Sequence, residues 1–267
     1  MKDPFAGLAA GYNSSGGTLR RVIRHELVDR GLAEHIFGPP ASVVDVGGGA
    51  GQQAIPLLRQ GYEVTILDPS KEMLDEARRR LVAEDQRARQ LARLVEGTGE
   101  RAHEVLGGKT FDAVLCHGVL MYLEDARPMI GALSTLASTG GLVSVLTKNA
   151  SALTARPAHE GRYRDALSLM DADRDRGQLG VMTRGDTVEG LSAAFAEAGL
   201  AVEQWYGVRV FTDHLGDSMP GEDLPEILEL EWEAGKRDPY RSVARLIHVV
   251  GRKKPVESSS SERVNLG

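Results

Sequence analysis

The stretch from Val43 to Gln53, VVDVGGGAGQQ, constrains the fold more than any other part of the chain. Its β-branched run reads as a buried strand, and the glycines crowded into residues 47–51 read as a tight turn that opens a helix. Strand, glycine turn and helix form the first unit of an α/β sheet whose ligand lies at the carboxyl ends of the strands. The alternation continues. Strand-like runs occur at SVVDV, EVTILD, ARLVEG, FDAVLCH and LVSVLT, with helical stretches at Gln52 to Gln60, Lys71 to Glu84, Arg101 to Leu106 and Arg127 to Ser138. Thr18 to Phe37 reads as an amphipathic helix ahead of the first strand. After the fifth strand the alternation pauses over residues 149–185, a polar insertion with one short helix at most, placed to cap a site. It resumes with a helix over DTVEGLSAAFAEAGL, capped by Asp186 and stopped at Gly199, and then two strands, VEQWYGVRVF and ARLIHVVGRK, around a helical LPEILELEWEAGKR. The expected organisation is a single domain over 1–252, with 1–40 as a helical lead-in, and a disordered tail over 253–267.

A length of 267 residues allows a sizeable core, and the net charge of −6 gives no overall electrostatic footprint for nucleic acid. The single cysteine, Cys116, excludes an internal disulfide and reads as a small buried hydrophobe. No stretch has the apolar length of a signal peptide or a membrane span, so the expected location is the cytoplasm and no membrane partner is expected.

The glycine spacing separates two classes of ligand. A dinucleotide site uses Gly-x-Gly-x-x-Gly and sets a pyrophosphate on the helix N-terminus. Here the order is Asp45-x-Gly47-x-Gly49-x-Gly51, with Gly48 added, and the acidic residue precedes the glycines. A carboxylate there repels a pyrophosphate but accepts hydrogen bonds from an ammonium group, which disfavours a nicotinamide dehydrogenase. Asp68, closing EVTILD, is placed to take both hydroxyls of a ribose. A ligand with an ammonium, a ribose and no phosphate fits both anchors, and S-adenosylmethionine has that composition.

With those motifs the chain resembles the class I S-adenosylmethionine-dependent methyltransferases, over about Val43 to Leu146. The resemblance implies a Rossmann-like seven-stranded sheet, mostly parallel with an antiparallel last strand, and helices on both faces. A closer resemblance, to the bacterial tRNA 5-carboxymethoxyuridine methyltransferase family, rests on GGTLRRVI, VVDVGGGAGQ, CHGVLMYLED, GVRVFTDHL and DPYRSVARLIHV. It implies cofactor contacts from Arg20, Gly47, Gly48, Asp68 and His117, with Gly99 beside the adenine. Asp45, Gly49, Pro69 and Glu100 complete the expected cofactor set.

His117, closing FDAVLCH, has two readings: a general base for the acceptor, or a hydrogen-bond contact to the cofactor's amino-acid end. Expected acceptor contacts are Tyr122, Lys148, Asn149, Arg209, Asp213, Tyr240, Arg245 and His248, mostly from the stretches shared with the closer family; paired arginines suit a carboxylate or phosphate. TDHLGD does not gather enough ligands on one face for a metal, so none is expected. Trp205, Tyr206, Phe211 and Trp232 read as core. The expected activity is methyl transfer to oxygen, nitrogen or sulfur of a small molecule, for example in natural-product biosynthesis. Transfer to tRNA is the alternative. It is disfavoured here because in DADRDRGQLG each arginine has an acidic neighbour, whereas a phosphate-tracking surface wants unopposed cations. A non-catalytic module that binds S-adenosylmethionine is a third possibility. Nothing in the sequence sets the oligomeric state.

Overall fold

The computed structural model describes residues 17–177 and 180–255. The chain order is α1 (Leu19–Ala33), β1 (Ser42–Val46), α2 (Ala54–Gln60), β2 (Glu63–Asp68), α3 (Lys71–Val82), α4 (Gln86–Leu91), β3 (Ala92–Glu96), α5 (Ala102–Val105), β4 (Phe111–His117), α6 (Arg127–Leu136) and β5 (Ala137–Lys148). Then follow α7 (Ala155–His159), α8 (Tyr163–Ser168), β6 (Arg174–Arg176), β7 (Met182–Arg184), α9 (Val188–Glu197), β8 (Leu200–Val208), α10 (Leu224–Gly235) and β9 (Leu246–Lys253). The main sheet has seven strands in the order β3-β2-β1-β4-β5-β9-β8. Strands β1 to β5 are parallel, and β9 runs antiparallel to both of its neighbours.

Alternation along the strands sorts residues between two layers. Val44, Val46, Val114, Cys116, Val143 and Val145 pack with Ile130, Leu133 and Phe195 of α6 and α9. Val43, Ala113, Leu115, Leu142 and Val250 face the opposite layer with residues of α2 and α3. Asp45, His117, Ser144 and His248 share the parity of that second set, which decides where the chemistry sits. Helix α1 lies on the same side, with Ile23, Leu27 and Val28 packed against Leu146, Val208 and Leu228. Burying each of these side chains contributes about 1.5–3 kcal/mol, enough to hold a polar helix face over the sheet edge. No helix among the described residues is long and apolar enough to cross a membrane.

Several boundaries differ from expectation. Residues 149–185 hold two short helices, α7 and α8, and an antiparallel hairpin of β6 and β7, rather than one short helix. The cap of α9 is Thr187, whose hydroxyl accepts from the Gly190 N–H; Asp186 instead accepts from the Thr147 hydroxyl at 2.8 Å. Gly199 ends that helix with φ +73°, as expected. Helix α4 was not anticipated, because QRARQL has almost no apolar periodicity; Asp85 caps it by accepting from Ala88 N–H. Cys116 is buried, and desolvation pushes its thiol pKa up. Of the aromatics read as core, Tyr206 is buried and stacks on Trp232, whereas Phe211 is exposed, in edge contact with Tyr240. The tail expected from 253 begins later, since Lys253 closes β9 and pairs with Leu200; residues 256–267 lie outside the described residues, as do residues 1–16 of the lead-in.

Candidate functional site

A cavity of ≈ 130 Å³ opens at the carboxyl ends of β1, β2 and β4, beneath α1. Its floor is Asp45 and the Gly47–Gly49 turn, one wall is Asp68 with Pro69, the other is His117 with Gly118, and Arg21, Arg24 and His25 come from α1. The turn is tied to β2 by Gly47 N–H, 2.7 Å from the Leu67 carbonyl. Gly49, at φ +53°, turns its own N–H to Asp68 Oδ2 at 2.9 Å, while Ser70 N–H takes Asp68 Oδ1 at 2.8 Å. Those two bonds fix the plane of the Asp68 carboxylate. Gly48 packs so closely that a Cβ would stand 2.7 Å from Asp45 Oδ2.

Asp45 is 2% exposed, and its Oδ2 has no hydrogen-bond partner. Burial foremost, then the nearby Asp68, push its pKa up to about 7, against the opposing pull of Arg24. A buried carboxyl without a partner beside an open cavity is suited to a cationic ligand group. The bare backbone turn and this carboxyl fit the anchors expected for S-adenosylmethionine.

His117 joins a hydrogen-bonded row across the sheet. Its Nε2 lies 2.9 Å from Ser144 Oγ on β5, which lies 2.8 Å from His248 Nε2 on β9. Both Nδ1 atoms are buried and have no partner. Burial pushes the His248 pKa down to about 3 and that of His117 well below the usual value, so both rings are neutral near pH 7.

A second, cationic cluster adjoins the crevice through α1. Arg20 sits one turn before Arg24, is 6% exposed, and has Nε and Nη1 unpartnered; its Nη2 lies 3.8 Å from Asp217. Arg209 is 8% exposed with Nε unpartnered and pairs with Asp213 at 3.4 Å. Burial pushes the Arg209 pKa down to about 10, which still leaves it charged at neutral pH. Arg245 reaches both Asp175 and Asp213, and Lys148 bonds to Asp175 and Thr183. Arg209 has φ +63°, rare for a side chain with a Cβ. Glu231, 0% exposed, holds that backbone by accepting from the N–H groups of Val210, Phe211 and Thr212 and from the Thr212 hydroxyl.

Thus Asp45, Gly47, Gly48, Gly49, Asp68, Pro69 and His117 line one cavity, whereas Arg20, Gly99 and Glu100 are not in its lining. Gly99 is buried at the start of the 3-10 turn that follows β3, against Met129 and Val46, and Arg20 faces the cationic cluster. Of the expected acceptor residues, Lys148, Arg209, Asp213 and Arg245 come together. Asn149 instead ties the chain internally, donating to the carbonyls of Ser242 and Ala244. Tyr240 is exposed against Phe211, Tyr122 lies on a short turn after β4, and His248 is inside the sheet layer. Sequence reading missed Arg24, Ser144, Asp175 and Glu231. Only Arg24 left a local signal, the four-residue spacing from Arg20 on a helix.

A seven-stranded sheet with this order and a glycine turn between two acids defines an S-adenosylmethionine-dependent methyltransferase. Residues 44–143 match a family model described as a methyltransferase domain. The chain belongs to the S-adenosylmethionine-dependent methyltransferase family. It is similar to the tRNA 5-carboxymethoxyuridine methyltransferase of Escherichia coli O157:H7, 31% identical over 244 residues that cover 91% of each chain. The ubiquinone biosynthesis O-methyltransferase of Vibrio cholerae is 32% identical over 117 residues, 44% of this chain and 45% of that one. Among solved structures, the magnesium protoporphyrin IX methyltransferase of Synechocystis with bound SAH shares the fold, with TM-score 0.57, 16% identity, and coverage of 88% and 86% of the two chains.

Proposed function

We propose that the chain methylates a carboxylate of its acceptor, with the donor in the crevice beneath α1 and the acceptor's anion at the neighbouring arginine cluster. The observation that carries this reading is the pair Arg20 and Arg209, buried guanidinium groups with unpartnered nitrogens, the first of them one helical turn from the Arg24 that lines the crevice. Buried guanidinium groups whose N–H donors are only partly used by Asp213 and Asp217 are suited to a planar anion that can take paired N–H bonds. In this reading Arg20 serves the acceptor, and Arg24 takes the place at the crevice that the resemblance gave to Arg20. Residues 149–185 cap the acceptor side, since Asp175 of β6 anchors Lys148 and Arg245.

Asp45 accepts the donor's ammonium, Gly47 to Gly49 lie along its amino-acid end, and Asp68 with Pro69 holds the ribose. Gly99 keeps the adenine side that the resemblance gives it. When bound, S-adenosylmethionine supplies an electrophilic methyl group whose transfer to a carboxylate oxygen forms an ester and requires no proton to be removed. Neutral His117 therefore acts as a hydrogen-bonding group and not as a base. Placement of the acceptor oxygen in line with the methyl group then supplies much of the acceleration.

An RNA-borne acceptor is supported by the tRNA methyltransferase relative, whose similarity spans the elements that build the cationic cluster as well as the crevice. The charge pattern of the insertion does not count against it: the exposed pair of Arg174 with Glu124 has the modest strength of surface pairs, and phosphate can replace the glutamate. A free small acid is the second reading, favoured by the net charge of −6, which gives no overall attraction for a polyanion. Methyl-labelled S-adenosylmethionine, incubated with the protein and a cell extract, tests both. The expected label is released by mild alkali, as from an ester, and lies in ribonuclease-sensitive material. Alkali-labile label in small molecules selects the second reading, and alkali-stable label removes the carboxylate.

The Asp45 pKa gives a linked prediction. A carboxyl raised to about 7 is protonated below that value and ionised above it. An ammonium binds the ionised form, so affinity climbs as pH rises toward about 7 and levels off above. Calorimetry in two buffers of different ionisation heat, one unit below that pKa, should show proton release on binding. Heats that do not depend on the buffer would remove the contact between Asp45 and the ammonium.

A further inference from the structure

The row from His117 through Ser144 to His248 crosses three adjacent strands and ends inside the protein. Ser144 and His248 are both 0% exposed. A serine hydroxyl carries one proton, so it donates to one imidazole and accepts from the other. Both rings are neutral, hence they must be opposite tautomers: the ring that donates through Nε2 has a bare Nδ1, and the ring that accepts at Nε2 carries its proton on Nδ1.

The surroundings of the two Nδ1 atoms choose between the arrangements. His248 Nδ1 lies under Gly31 of α1, so close that a Cβ there would stand 3.0 Å away, and the Tyr206 ring fills the adjoining space. No acceptor is present for a proton on that nitrogen, and a buried N–H without an acceptor is the rarer and costlier defect. His117 Nδ1 is equally buried and unpartnered, but its ring lines the crevice, so a bound ligand can bring the acceptor that His248 lacks. The favoured order is therefore His248 Nε2–H donating to Ser144, and Ser144 O–H donating to His117 Nε2. On the α1 side the crevice is cationic: Arg21 and Arg24 line it, and Arg24 donates to the His117 carbonyl at 3.2 Å, whereas burial pushes the His25 pKa down to about 3 and leaves that ring neutral.

We propose that Ser144 and His248 are positioning residues that hold His117 with its proton on Nδ1, so that the ring offers a hydrogen-bond donor to the carboxylate at the amino-acid end of S-adenosylmethionine. The inference rests on the reading that the crevice holds the donor. It gives a buried serine and a buried histidine, neither of them in the crevice lining, a part in cofactor affinity. Gly31 belongs to the same device, because its lack of a side chain leaves room for the His248 ring.

Nitrogen NMR of the ¹⁵N-histidine-labelled full chain tests this, with and without S-adenosylhomocysteine. The expected spectrum shows His117 protonated at Nδ1 and bare at Nε2, His248 the converse, and a shift of the His117 Nδ1–H signal on adding the ligand. His117 protonated at Nε2 in the complex overturns the proposal. In a second arm, Ser144→Ala should weaken S-adenosylhomocysteine binding about tenfold, as for loss of one hydrogen bond to a charged group, and Ser144→Thr should restore it. Unchanged affinity and an unchanged tautomer in Ser144→Ala also overturn it. If Ser144→Ala does not fold, the spectra of the unmutated protein decide. Absence of ligand binding to the unmutated protein rejects the donor site itself, while the ligand-free spectrum still reports the tautomers.

Discussion

Asp68→Ala raises the dissociation constant for S-adenosylhomocysteine by about 10²-fold or more, the expected loss for two hydrogen bonds from a ribose to a charged group. The effect exceeds the ribose contact because the carboxylate also shapes the site. Its two oxygens accept Gly49 N–H and Ser70 N–H, and alanine leaves both donors without that partner. Stability should fall by about 2 kcal/mol for those two lost bonds, so affinity must be read at a temperature where the variant is folded. Asp68→Asn keeps one oxygen and turns an amide N–H toward the other backbone donor, so it should fall between the two. A further sign follows from Asp45, whose pKa is raised in part by Asp68. Removing Asp68 lowers that pKa, and the pH range of proton release on binding should move down with it. Calorimetry that finds affinity unchanged in Asp68→Ala would remove the ribose assignment.

Glu231→Ala is expected to be the most destabilising single change, by about 4 kcal/mol, because a fully buried carboxylate with several donors is removed and its donors are stranded. For a chain of this size that corresponds to a Tm lower by about 10 °C. Val210 N–H lies 2.6 Å from one oxygen, and Phe211 N–H, Thr212 N–H and the Thr212 hydroxyl lie 3.0, 2.9 and 2.6 Å from the other. Glutamine matches the shape but must turn its amide hydrogens toward at least one N–H, so Glu231→Gln should recover only part of the loss. The same carboxylate holds Arg209 at φ +63°. Glu231→Gln should therefore also raise KM for the acceptor while leaving S-adenosylhomocysteine affinity near that of the unmutated protein. A calorimetric Tm that does not change in Glu231→Ala would show that the loop stands without its carboxylate.

The parts of the site legible in the sequence are those made within a few residues. The glycine turn and Asp45 are contiguous, and Asp68 closes the next strand, so the two anchors follow from the βαβ order alone. The strands were equally plain because their apolar runs are buried on both faces. The insertion was not legible: residues 149–185 lack a sustained period, and the β6–β7 hairpin is fixed by Asp175 reaching Lys148 and Arg245. Asp186 looked like a helix cap, but its partner is Thr147, on a strand far away in the chain. Ser144 and Glu231 were invisible for the same reason. A lone serine in an apolar strand and a glutamate on an amphipathic helix carry no local sign of what they bond across the fold.

The placement of β9 between β5 and β8 has a consequence for biosynthesis. The first five strands pair in parallel with strands already made or soon to follow, but β8 meets the sheet only through β9, which follows it in the chain. A nascent chain still short of Arg245 has β8 without its neighbour and lacks both Arg245 and His248, so neither the histidine row nor the arginine cluster is complete at that stage. Closure of the sheet thus waits on β9, and a ribosome-stalled fragment ending before β9 should be readily degraded by proteases, whereas one that has cleared the exit tunnel with β9 free should resist.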